Sequence, residues 1–188
     1  APAFDKDYSD LASFKCDFIY WINTELLSSS VNKIYKRGLI TELYPENMSF
    51  GEDLVFVLNY LKHCNRISFT QEPLYQHEVY NSVSLTHSFS PARFSNLEDI
   101  QKAILDFADD KNKINPRIYD KYVKDALHLT RMWYKNKNVP YIRKKEIIGE
   151  WLKQSYIRKL KISDYQLHWK DRMLLHCLHM SCFIGINL

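Results

Sequence analysis

A chain of 188 residues with 46% apolar side chains is long enough for one domain or one and a half around a real core. Its 4 glycines and 6 prolines leave few tight turns and much helix. Disordered, collagen-like and disulfide-scaffold classes are excluded by this composition, which leaves a soluble globular protein. The net charge of +4 averages two unlike halves: residues 1–110 carry 9 Lys and Arg against 16 Asp and Glu, giving −7, whereas residues 111–172 carry 17 against 6, giving +11.

The four cysteines, Cys16, Cys64, Cys177 and Cys182, form neither a Cys-x-x-Cys pair nor a regular framework and read as reduced, mostly buried thiols of a cytosolic protein. The opening APAFDKDYSD has no basic and apolar stretch of the secretory kind, so no signal peptide is expected, and its Ala-Pro-Ala start reads as the edge of a partial chain. Asparagine–lysine runs such as KNKIN suggest an AT-rich bacterial coding sequence.

In residues 1–30, Phe14, Phe18, Ile19, Trp21, Ile22, Leu26 and Leu27 fall at spacings nearer 3.6 than 2, which predicts a helix or two ending at Ser28-Ser29-Ser30. Residues 31–40, VNKIYKRGLI, read as a short, partly buried segment, and the following TELYPENMS reads as a loop in which Pro45 and Asn47 are the loop-formers. From Met48 to Leu61 the chain runs MSFGEDLVFVLNYL, with Leu54, Val57, Leu58 and Leu61 at i, i+3, i+4 and i+7 on one helical face. Ser49 and Glu52 have the spacing of a capping box, which starts the helix at or near Gly51. Asp53 then lies in the first turn, where the macrodipole favours an ionised carboxylate and Gly51 lets another group approach the backbone. Such a carboxylate is either an ordinary first-turn acid or a general base. Arg66–Thr70 and Leu74–Tyr80 are expected strands, with Asn81-Ser82 turning the chain.

The order VNKIYKRGLI, then Glu52-Asp53 at a helix start, then RISF and EPLYQHEVYNSVS at residues 72–84 resembles the C-terminal half of the catalytic domain in family-2 glycosyltransferases of the GT-A fold. The resemblance covers residues 31–84. It implies that Asp53 takes the proton from an acceptor hydroxyl, that Asn32 and Lys33 lie near the substrate cleft with Glu52, and that His77 completes the site of a divalent metal, Mn or Mg, which holds the donor diphosphate. Val31 departs from the tryptophan often found before the Asn-Lys pair, and Glu78 from an arginine. Family members bind metal and nucleotide through an Asp-x-Asp that follows a hydrophobic strand. Asp5-Lys6-Asp7 has that form, but only four residues precede it, so it is not assigned the role. A nucleotide-binding half takes about a hundred residues of alternating strand and helix, as in other doubly wound sheets. Residues 1–30 cannot hold one, so this chain is expected to bind a metal or a nucleotide sugar only as part of a longer enzyme.

Beyond Ser90, helix dominates. Pro91 suits the first helical position behind a Ser90 cap, and Phe94, Leu97, Ile100, Ile104, Leu105 and Phe107 keep helical spacing to Ala108. A second helix runs from Asn115-Pro116 to about Lys135, a third from Tyr141 to about Leu160, and a last from Ser163 or Asp164 to about Phe183. HCLHMSC, residues 176–182, crowds His176, Cys177, His179 and Cys182 into one short run. Structural zinc sites draw ligand pairs from separated segments, so these residues read as packing. The tail from Met173 is apolar yet shorter than the ~20 residues that span a bilayer. It follows the basic, aromatic KLKISDYQLHWKDR, an order that suits an anchor lying on an anionic membrane surface. No helix-turn-helix turn, zinc-finger spacing or RNP motif accompanies the basic half, so nucleic acid is not an expected partner.

The expected fold class is α+β and predominantly α-helical: a partial GT-A-like acceptor side over residues 1–89 and a helical extension over 90–188. The implied activity is inverting transfer from a nucleotide sugar to a saccharide acceptor in surface polysaccharide or glycan synthesis, in the cytoplasm or at the inner face of the membrane. The rival reading is a non-catalytic helical module that binds membrane or a protein partner.

Overall fold

The structure, a computed structural model, describes residues 5–76, 90–108 and 115–180. It is an α+β chain, mostly helical, with two short antiparallel strands among the described residues. The elements in order are β1 (Lys6–Tyr8), α1 (Leu11–Asn23), α2 (Glu52–Leu61), β2 (Ile67–Phe69), α3 (Ala92–Ala108), α4 (Asp120–Lys135), α5 (Tyr141–Leu152) and α6 (Trp169–His179).

Strand β1 pairs with β2 in the register Lys6↔Phe69, Asp7↔Ser68 and Tyr8↔Ile67. Sequence reading expected helix in this region. A three-residue strand flanked by charges has no room to show a period of two, and what fixes it is tertiary. The Tyr8 hydroxyl accepts from Trp21 Nε1 at 2.6 Å and donates to Asp17 at 2.8 Å, while Phe69 stacks on Trp21 with ring centroids 3.8 Å apart. Asp5 and Lys6 of the Asp-x-Asp are spent locally: Asp5 accepts from the backbone N–H of Gln71 at 2.7 Å and Lys6 pairs with Asp17 at 2.5 Å. Helix α1 starts where the Asp10 side chain accepts from the Ser13 N–H at 2.7 Å, an ordinary N-cap.

Helix α2 buries Leu54, Val57, Leu58 and Leu61 as the spacing predicts, and adds Phe56. It starts at Glu52, but not through a capping box. Gly51 is the N-cap residue, with φ 76°, and no side chain caps it. Ser49 instead donates its N–H to Asn96 of α3 at 3.2 Å, a partner 47 residues away that no local pattern announces. The close approach that Gly51 permits is made by α3: a Cβ there would lie 2.1 Å from Ile100 Cδ1 and 2.6 Å from Cγ1. Gly51→Ala is therefore expected to cost about 2 kcal/mol or more, from left-handed backbone strain plus overpacking against a buried isoleucine. Gly38→Ala, where nothing lies within 4 Å, is the control and is expected to be near neutral. Urea midpoints of the two variants check this, and equal midpoints would contradict it.

Helix α3 crosses from one core cluster to the other. Ile100, Ile104 and Phe107 pack with α1 and α2, while Phe94 and Leu97 pack with α4, α5 and α6. At its start the Ser90 hydroxyl accepts from the Ala92 N–H at 3.3 Å, the cap expected there. Lys121 of α4 ties the halves together further: it is buried and its ammonium pairs with Glu25 at 2.7 Å and Asp125 at 3.2 Å. Glu25 holds a left-handed φ of 63° just after α1, a conformation that costs a non-glycine residue roughly 1–2 kcal/mol and that Lys121 and Ser28 hold in place through its carboxylate.

Helix α5 ends at Leu152 rather than near Leu160, for a physical reason. Ser155 and Glu98 capture the backbone N–H groups that a longer helix would use: the Ser155 hydroxyl accepts from Ile157 N–H at 3.1 Å and Glu98 from Tyr156 N–H at 3.1 Å. Glu98 also accepts from the Tyr122 hydroxyl at 2.5 Å and from Trp151 Nε1 at 2.6 Å, making it the polar hub of the helical core. The chain then forms short 3₁₀ turns at Tyr156–Lys159 and Ile162–Asp164, so α6 begins only at Trp169.

Candidate functional site

Asp53, the second residue of α2, is half-buried, and its Oδ1 accepts a 2.6 Å hydrogen bond from the hydroxyl of Ser30. Ser30 is itself buried, and among the described residues no other side chain donates to Asp53. One carboxylate oxygen is thus fixed, and among the described residues no side chain bonds the other. Sequence reasoning took the serine run only as a helix end and missed Ser30. The available signal was its place directly before the Asn-Lys segment.

Lys33 positions Ser30 rather than reaching outward. Its ammonium donates to the carbonyl of Leu26 at 2.6 Å, to the carbonyl of Ser29 and to the side-chain oxygen of Asn32 at 2.7 Å, which uses all three of its donors. Burial pushes the Lys33 ammonium down to about 8, and the nearby Asp53 pulls it back up. Tyr35 completes the clamp: its hydroxyl donates to the Ser30 carbonyl at 3.0 Å, and burial raises that hydroxyl's pKa. The Tyr35 ring meets Phe56 and Tyr60 of α2 edge-on at 5.4 and 4.9 Å, and the Tyr60 hydroxyl accepts from the Lys36 N–H at 2.8 Å. Residues 30–36 are therefore fastened to α2.

The other expected site residues stand apart from this clamp to different degrees. Asn32 is exposed, with its oxygen taken by Lys33, and Glu52 is half-buried beside Asp53 with no side-chain hydrogen bond among the described residues. His77 lies outside the described residues, as do Glu78 and most of the expected strand Leu74–Tyr80, whose first residues, 74–76, are not strand. The Val31–Ile40 segment is partly buried, as expected, with Tyr35, Leu39 and Ile40 packed against the core, whereas Val31 is 57% and Ile34 94% exposed, and Leu43 beyond it is 80% exposed. These apolar side chains stand outward from the loop that Tyr35 and Tyr44 fasten to Phe56.

Among the described residues no three His, Cys, Asp or Glu side chains converge to hold a metal. His77, to which the resemblance assigns the divalent metal, lies outside the described residues, so the metal stays an expectation for the intact enzyme. What the arrangement can do is accept a proton: a carboxylate at a helix start, oriented by one hydroxyl, with its other oxygen bonded by no side chain among the described residues. No protein-family model, curated protein or solved structure matches this chain.

Proposed function

We propose that the chain supplies the acceptor side of an inverting glycosyltransferase, with Asp53 as the general base. An acceptor hydroxyl attacks the anomeric carbon of a nucleotide sugar. Its proton passes to the second carboxylate oxygen of Asp53, the new glycosidic C–O bond forms, and the bond to the diphosphate breaks with its electron pair leaving on the phosphate oxygen. The observation that carries this reading is the Ser30–Asp53 pair, which orients a carboxylate at the start of α2 on a loop held by Lys33 and Tyr35. Exposed Ile34 and Leu43 on the same loop support it, since apolar side chains at such a place suit a companion half that carries the nucleotide site.

If the donor half lies outside these residues, the 188-residue chain on its own binds nucleotide sugars only weakly. Calorimetry with UDP- and GDP-sugars in the presence of manganese is expected to show no micromolar affinity, and micromolar binding of any of them would overturn the division of labour.

A further inference from the structure

Helix α6 has two apolar sides. Leu174, Leu175 and Leu178 are buried in the helical core, yet Trp169, Met173 and Met180 are 60%, 50% and 66% exposed. The exposed three recur at i, i+4 and i+11, so they form one stripe along the outward face of the helix. Lys170 and Arg172 flank the stripe, and among the described residues neither has a carboxylate partner; the neighbouring Asp171 is instead taken inward by Arg131 of α4. Lys170 lies over the ring of Trp169, its ammonium 5.5 Å from the centroid. The ring of Tyr134 in α4 is 6.2 Å from that of Tyr141, which with Ile142 is exposed at the start of α5.

A stripe of tryptophan and methionine edged by cations with no carboxylate partner among the described residues, following a stretch, residues 111–172, of charge +11, is complementary to an anionic lipid head-group layer over an acyl boundary. A second copy of this chain meeting the stripe through the same face would bring the same positive charge to the contact. Nucleic acid would use the cations but leave the methionines in water. Among the described residues no helix is long and apolar enough to cross a membrane, so the contact is one of lying on the surface. We propose that the outward stripe of α6, Trp169, Met173 and Met180 with Lys170 and Arg172, docks on a leaflet of anionic phospholipid.

Truncation before Met173 cannot test this, because it would remove the buried leucines with the stripe. Outward substitutions can. The chain is mixed with vesicles of equal parts phosphatidylserine and phosphatidylcholine, or of phosphatidylcholine alone, at about 50 mM salt, where screening is weaker than in physiological buffer. The chain is expected to sediment with the anionic vesicles and to stay in solution with the neutral ones. Its tryptophan emission is expected to shift to the blue, and that shift reports Trp169, since Trp21, Trp133 and Trp151 are already buried. K170E/R172E is expected to weaken binding about tenfold or more, with the salt sensitivity reduced. M173S/M180S is expected to weaken it while leaving the salt sensitivity intact. Failure of the unmodified chain to sediment with anionic vesicles would overturn the proposal. So would binding that neither double variant changes, or a chain that buries the stripe by dimerising. Circular dichroism confirms that both variants keep their helices, and the unmodified chain's sedimentation decides the matter without them.

Discussion

Asp53→Asn is expected to lower the rate of glycosyl transfer by about 100-fold or more in the enzyme that contains this chain, with the fold unchanged. The substitution is nearly isosteric, and the asparagine oxygen can still accept the hydrogen bond from Ser30, so the start of α2 and the loop above it keep their places. What is lost is proton affinity, which an amide lacks at neutral pH. Ser30→Ala is the informative neighbour. It leaves the carboxylate but removes the group that orients it, so a smaller loss of rate is expected, from positioning alone. The rates are read by product formation from a labelled nucleotide sugar, beside thermal midpoints that show both variants folded.

Glu98→Ala is expected to destabilise the chain by about 3–5 kcal/mol, a large share of the roughly 5–15 kcal/mol that holds a domain folded. Its carboxylate serves three donors at once, Tyr122, Trp151 and the backbone N–H of Tyr156. Tyr122 keeps a second partner in Ser155 at 2.8 Å, whereas the Trp151 indole and the Tyr156 amide are left in the core with nothing to bond. Glu98→Gln also carries a pH signature. Burial raises the Glu98 carboxyl above its ordinary 4.5, against the pull of its three donors, so the folded chain binds the proton more tightly than the unfolded one. The linked stability is fully present below pH 4.5 and is lost as pH rises through the raised value. Denaturant titrations are expected to show the stability of the unmodified chain relative to Glu98→Gln growing as pH falls from neutral towards 4.5. A flat difference would mean that the carboxylate is not desolvated in the core.

How legible the molecule was in its sequence follows the range of the forces involved. The buried face of α2, its start beside Gly51 and the position of Asp53 in the first turn are matters of local period and helix-end chemistry, and they were readable. The partner that orients Asp53 was not, because Ser30 lies 23 residues away and a serine run reads first as a break. Lys33 was readable as part of a motif, but not as a residue whose donors are all consumed within its own loop. Ser49 had the right spacing for a cap and was drawn to Asn96 by tertiary packing. The end of α5 was set by Glu98, 58 residues before the Tyr156 amide it captures, and no window along the chain could have shown that. Glu25 left no signal at all, since its left-handed backbone is held by Lys121, 96 residues further on.

The central claim, that Asp53 is a base and not merely an acid at a helix start, is tested most directly by comparing Asp53→Asn with Glu52→Gln in one transfer assay. The two carboxylates are adjacent in the first turn of α2 and share its dipole, so a purely structural role predicts similar and mild effects, each within about 1 kcal/mol of stability. Only Asp53 is oriented by Ser30. The predicted result is a loss of rate of about 100-fold or more for Asp53→Asn beside a near-normal rate for Glu52→Gln. Equal, small losses in the two variants would contradict it and leave Asp53 as a helix-end carboxylate alone.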